Sequence, residues 1–170
     1  MCRLRLNISN YGENMAIDDL IAEISGTLGK ETHISDWQKI DQHMINAFAD
    51  VTQDHQWIHV DVDRAAKESP FKGTIAHGFL TLSLIPHLTG SVDSSTPVYP
   101  GIQVSVNYGM NRVRFPNPVA AGSNLRSRSK IVSVDKVNDG CFQVVNEVTI
   151  EIEGQDKPGC VAEVVFRHYF

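Results

Sequence analysis

A carboxylate and an imidazole stand five residues apart in the stretch Asp54-His55-Gln56-Trp57-Ile58-His59, and Gly73-Thr74-Ile75-Ala76-His77-Gly78 follows, leading into a strongly apolar run. The second stretch reads as the glycine-containing start of a buried helix. Backbone N–H groups at such a start lack intrahelical acceptors and point at whatever lies beyond. A paired acid and base, with a donor for a developing oxyanion, is what addition of water across an activated double bond requires. The chain is therefore expected to be an enzyme.

Each of these residues also has a plainer reading. Asp54 suits a turn or cap, a common place for a carboxylate before an extended run, and His59 suits a half-buried strand. His55 and His59 have the spacing of zinc ligands on a helix, but the glutamate of the metalloprotease motif is missing, and an extended segment would hold the two rings apart. No metal is expected. His77 is expected to pack or hydrogen-bond beside the helix start. No serine sits in a nucleophile elbow, and His87 and His168 carry no distinguishing signal.

At 170 residues a single domain spanning 1–170 is expected, large enough for a sizeable core. A hydrophobic fraction of 42% with 21% charged residues argues against disorder. The net charge of −5 disfavours nucleic acid as a partner, because phosphate binding normally needs a basic face. Cys2, Cys141 and Cys160 form no CxxC pair and no metal-ligand spacing, which reads as reduced thiols in a cytoplasmic protein. The N-terminus lacks the apolar region of a signal peptide. The longest apolar run, Phe79–Leu88, is too short to cross a bilayer and is broken by Thr81, Ser83, Pro86 and His87, so no membrane partner is expected.

The elements that must position the chemistry follow from periodicity. Ile17, Leu20, Ile21, Ile24 and Leu28 recur at helical spacing before Gly29, predicting an amphipathic helix within an N-terminal extension at about 14–30. His33 to Ile40 reads as extended. Asp41 offers an N-cap to a helix with Met44, Ile45, Phe48 and Val51 on its apolar face. Asp54–Val60 reads as a turn leading into an extended segment, and Asp61–Lys67 as a short capped helix ended by Ser69-Pro70. From Gly78 to Leu88 the pattern is apolar nearly all round, which predicts a helix buried on every side. The C-terminal half then supplies a wrapper. Ile102–Tyr108 alternates, Arg112–Phe115 continues extended, and Leu125–Val137 is followed by the hairpin signal Asn138-Asp139-Gly140. Two further alternating stretches end the chain. An α+β hot-dog arrangement is predicted, an antiparallel sheet around a central hydrophobic helix; a plainer α+β sandwich also fits the pattern.

At these residues a family resemblance appears. Phe48-Ala49-Asp50-Val51-Thr52-Gln53-Asp54-His55-Gln56-Trp57-Ile58-His59-Val60-Asp61, together with Gly73 to Leu88, resembles the MaoC-like dehydratases, most of all their NodN-like branch. These are similar to the (R)-specific enoyl-CoA hydratases, single hot-dog domains that usually dimerise. The family motif is an Asp and a His separated by four residues, often with Asn-Pro between; here Gln56-Trp57 replaces Asn-Pro. The resemblance implies Asp54 and His59 as the catalytic pair and Gly78 as the oxyanion glycine. A downstream serine that shapes the site in some hydratases falls on Pro86, a departure.

The implied reaction is reversible hydration of a trans-2-enoyl thioester to an (R)-3-hydroxyacyl thioester, with Asp54 and His59 holding the water and the Gly78 amide facing the enolate oxygen. The implied partners are an acyl-CoA thioester and a second copy of the chain. No separate cofactor is needed, because coenzyme A belongs to the substrate. Lys72, Arg112 and Arg114 are candidates for its phosphates, with surface solvation as the plainer reading. His77 and Phe79 are counted among the substrate-contacting residues, although Phe79 and Leu82 suit plain core as well as a tunnel wall. A hot-dog acyl-CoA thioesterase would use the same architecture but normally needs a carboxylate on or beside the central helix, and Phe79–Leu88 has none. A non-catalytic acyl-thioester binding module is the remaining alternative.

Overall fold

The computed structural model describes residues 16–91 and 98–170 and the backbone of residues 2–3. Its strands are β1 (Cys2–Arg3), β2 (Glu31–Ile34), β3 (Gln38–Lys39), β4 (Val104–Arg114), β5 (Asn124–Asn138), β6 (Cys141–Ile152) and β7 (Cys160–Tyr169). They lie in the order β1-β2-β5-β6-β7-β4, with β3 also beside β5, and every pairing is antiparallel. The meander β5-β6-β7 forms because three alternating sequences are joined by short turns. Asp139-Gly140 closes the first, where the Gly140 amide donates to Asn138 Oδ1 at 2.9 Å. The alternating stretch and its extended continuation form a single strand, β4. Two irregularities, between Asn107 and Gly109 and between Met110 and Arg112, let β4 run through as one strand.

The sheet curls round the central helix, which is α5 (Gly78–Ser83) followed by α6 (Ile85–Leu88). The predicted single helix is interrupted because Pro86 has no N–H to donate and its ring crowds the preceding turn. Leu80, Leu82, Ile85 and Leu88 pack against Leu125, Val148, Ile150, Ala162, Val164 and Phe166 of the sheet. Burial of such side chains is the main drive for the fold, at about 25 cal/mol per Å² of apolar surface. The helix is not buried on every side, contrary to what its composition predicts. Phe79 is 67% exposed, and Ser83 and His87 on the same side are exposed too.

The remaining helices deliver the site. α1 (Ile17–Ser25) lays Leu20 and Ile24 on Ile131, Phe142 and Val144. α2 (Gln42–Thr52) is capped as predicted, Asp41 Oδ1 accepting from the Met44 amide at 2.9 Å. Its inner face is Met44, Ile45, Phe48 and Ala49. Val51, expected on that face, is 84% exposed, because residues 50–52 of the last turn are all exposed. α3 (Trp57–Val60) replaces the extended segment predicted there, and α4 (Val62–Glu68) follows, capped by Asp61. Among the described residues no helix is long and apolar enough to cross a membrane.

Candidate active site

Gln53 ends α2 in the left-handed region, φ 62°, and this turn swings the chain back toward the start of α5. Asp54 is the next residue. It is exposed, and its Oδ1 accepts only a long contact, 3.4 Å, from the Gln56 amide. A single turn of helix, α3, then carries His59 inward to 7% exposure. The His59 Nδ1–H donates to the Ile75 carbonyl at 2.7 Å. A carbonyl can only accept, so Nδ1 holds the proton of the neutral ring and Nε2 keeps its lone pair. Burial pushes the His59 pKa below the ordinary histidine value, against the Ile75 carbonyl, which raises it; the neighbouring His77 lowers it further and Asp54 raises it. The ring is therefore neutral at neutral pH, with a free acceptor nitrogen.

His77 precedes α5 and is 3% exposed. Its ring stacks on His59 with centroids 3.8 Å apart, and the Phe48 ring of α2 packs against the same His77 ring, tilted, at 5.1 Å. Asp54, His59 and His77 each place a ligand-type atom so that all three lie within 4.8 Å of one another. The pair expected from sequence, Asp54 and His59, is thus brought together, and His77 joins it as a third member. Two imidazoles and a carboxylate are also a donor set that could hold a divalent ion. His55 takes no part: it is exposed and lies 3.8 Å from Asp50.

The Gly78 amide follows His77 directly. It is one of the N–H groups a helix leaves without an intrahelical acceptor, and no side chain caps it. The space beside Gly78 is not open. A Cβ there would meet the Phe115 ring at 3.0 Å, so a side chain at this position would need Phe115 to shift from the helix start. Phe115 also meets Phe79 edge-on at 6.0 Å.

Of the other candidates, Phe79 is 67% exposed in the single chain, so it is not part of the core. Lys72 is exposed in a turn with left-handed φ of 59°. Arg112 pairs loosely with Glu163 at 3.9 Å, and Arg114 donates to the carbonyl of its own neighbour Val113 at 2.7 Å. Ser83 donates to the Phe79 carbonyl at 2.7 Å, using its hydroxyl within its own helix. Gln42 is a residue that sequence reasoning missed. Its Nε2 donates to the His59 carbonyl at 2.7 Å while its Oε1 accepts from Thr74, so it braces α2 against both halves of the site. Its only sequence signal is a polar residue in the first turn of an otherwise apolar-faced helix.

An antiparallel sheet curled about a short apolar helix defines a hot-dog protein, here with an Asp and two His gathered at the helix start. Residues 23–152 match the model of the MaoC like domain, and the chain belongs to the MaoC-like dehydratase family, which makes it a hydro-lyase. It is similar to 3-hydroxyacyl-thioester dehydratase Z of Mycobacterium tuberculosis, with 45% identity over 148 residues, 87% of this chain and 95% of that one. It is also similar to nodulation protein N of Rhizobium meliloti, with 43% identity over 142 residues, 84% of this chain and 86% of that one. The fold matches the crystal structure of a monoamine oxidase regulatory protein from Archaeoglobus fulgius at a TM-score of 0.71, with 21% identity, covering 84% of this chain and 90% of that one.

Proposed function

We propose that the chain catalyses the reversible hydration of trans-2-enoyl thioesters to (R)-3-hydroxyacyl thioesters, with Asp54 and His59 activating the water. The observation that carries this reading is the approach of the Asp54, His59 and His77 polar atoms within 4.8 Å at the start of the central helix. A water donating both hydrogens at about 2.8 Å spans about 4.4 Å between its two acceptors. Ligand-type atoms of Asp54 and His59 lie within 4.8 Å of each other, close enough for one water to be held by both, and a water held by both hydrogens turns its oxygen lone pairs outward, toward C3. As the C3–O bond forms, the π electrons move to C2 and charge builds on the thioester oxygen, which the Gly78 amide would meet. One water proton passes to the Asp54–His59 pair and an equal proton returns to C2, so water is the only species consumed. Positioned acid–base catalysis of this kind contributes about 10²–10⁴-fold. The similarity to the mycobacterial dehydratase, high over nearly the full length of both chains, supports a thioester substrate and the reverse, dehydrating direction equally.

The same reading includes a homodimer. Among the described residues β4 pairs only with β7, and no strand lies along its other edge. Along it Val104, Val106, Tyr108 and Met110 are exposed, and exposed Phe115 and Phe79 extend the apolar surface onto the central helix. A long apolar edge strand of this kind calls for a covering partner, and an identical β4 supplies the matching one. Buried free Cys141 and Cys160 fit a reducing, cytoplasmic setting.

Absorbance at the enoyl-thioester band with crotonyl-CoA tests the reaction. Wild type removes the signal without freeing thiol, and Asp54→Asn, which keeps the shape and removes the base, loses about 10²–10⁴-fold of turnover while remaining folded. Thiol release would favour a thioesterase, and an active Asp54→Asn enzyme would overturn the assignment.

A further inference from the structure

The irregular stretch that presents Asp54 is held by few bonds of its own. Between the left-handed Gln53 and the first turn of α3, the Asp54 side chain offers only its long contact to the Gln56 amide. What fixes this stretch inward is the backbone carbonyl of Asp54 itself, 2.9 Å from His77 Nε2. Because a carbonyl only accepts, Nε2 is the nitrogen that carries the proton. The other ring nitrogen, Nδ1, is buried with no hydrogen-bond partner. The ring's polar contact is therefore the tether to Asp54, and it is made at the cost of leaving a buried acceptor unsatisfied.

The tether has a counterpart. His59 Nδ1–H donates to the Ile75 carbonyl at 2.7 Å, and the Ile75 amide donates back to the Ile58 carbonyl at 3.1 Å. Each of the two segments thus sends a histidine to a carbonyl of the other, and the two rings stack where they cross, 3.8 Å apart and 27° from parallel. Such a reciprocal lock sets three things in one register: the Asp54 carboxylate, the His59 Nε2 lone pair and the Gly78 amide, which is one peptide bond beyond His77.

We infer that His77 is a positioning residue for the reaction, holding Asp54 in reach of the water shared with His59 through its bond to the Asp54 carbonyl. It touches neither water nor substrate in this role, which replaces the substrate contact expected of it. The inference rests on the hydration reading above and adds the part that keeps an exposed carboxylate in place. A displacement of about 1 Å at a reacting group lowers rate by about 100-fold, which is the effect assigned to loss of the tether.

Three variants separate tether from stacking. His77→Gln places an amide N–H about where Nε2–H stood and keeps the tether without the aromatic ring. His77→Asn reaches only as far as Nδ1 and loses it, and His77→Phe keeps the stacked ring but donates nothing. The expected result is a fall in kcat of about 100-fold for Asn and Phe with KM within about threefold, and a fall of no more than about tenfold for Gln. Exchange of the His59 amide, whose acceptor is the Gln56 carbonyl at 2.9 Å in the tethered stretch, should quicken in Asn and Phe and not in Gln. This second readout needs no substrate, so an inactive wild type would overturn the hydration reading while the exchange data still judge the tether. Equal losses in all three variants, unchanged kcat in Asn and Phe, or unchanged exchange would overturn the inference.

Discussion

His168 should make this protein lose stability in mild acid, because its buried site disfavours the protonated ring. It lies on β7, 3% exposed, with Tyr99, Phe142 and Phe166 around its ring at 5.0, 5.0 and 6.2 Å and Ser105 Oγ 2.8 Å from its Nδ1. Burial pushes its pKa from the ordinary 6.5 down to about 4. Above pH 6.5 the ring is neutral in both folded and unfolded chains, and contributes no pH dependence. As pH falls below 6.5 the unfolded chain takes up a proton that the folded one refuses, so stability drops with pH until the folded pKa of about 4 is reached. Each tenfold in proton affinity is about 1.4 kcal/mol, so the loss is about 2 kcal/mol by pH 5 and about 3 kcal/mol in all. Urea melts of wild type and His168→Phe at pH 7, 6, 5 and 4 read it as a difference in slope, in which other groups cancel. Phe fills the aromatic surroundings and cannot titrate. The reasoning is refuted if the two stability–pH curves run parallel.

Two further outcomes follow from particular contacts. Gly78→Ala keeps the backbone N–H but drives a methyl into the Phe115 ring, so stability should fall by about 1–3 kcal/mol and turnover by about 10–100-fold as the helix start shifts. Adding Phe115→Ala should restore turnover; failure to do so would mean that the ligand, not Phe115, needs the space. Val106→Lys with Met110→Lys puts like charges along the bare edge of β4 and should turn a dimer into a monomer in light scattering after size exclusion. A wild-type monomer, or a double variant still dimeric, would rule out that edge as the interface.

The sequence alone determined most of the architecture, because its signals are local and repeated. The alternation in β5, β6 and β7, the Asp-Gly turn between the first two, and the caps Asp41 and Asp61 each act within a few residues of where they are read. Asp54 and His59 were likewise legible as candidates from residue type and spacing, and Gly78 from the family resemblance. Tertiary structure decided what depends on neighbours far along the chain. The stretch around His59 has no helical period, yet it forms a turn of helix because the Ile75 carbonyl and the Gln42 amide bind it from outside. An apolar pattern all round the central helix could not say that Phe79 faces out, since exposure there depends on where the sheet stops covering it. Nor could residue type alone assign a task to His77. That came from two segments crossing in space, each histidine finding the other segment's carbonyl, a pairing that no periodicity records.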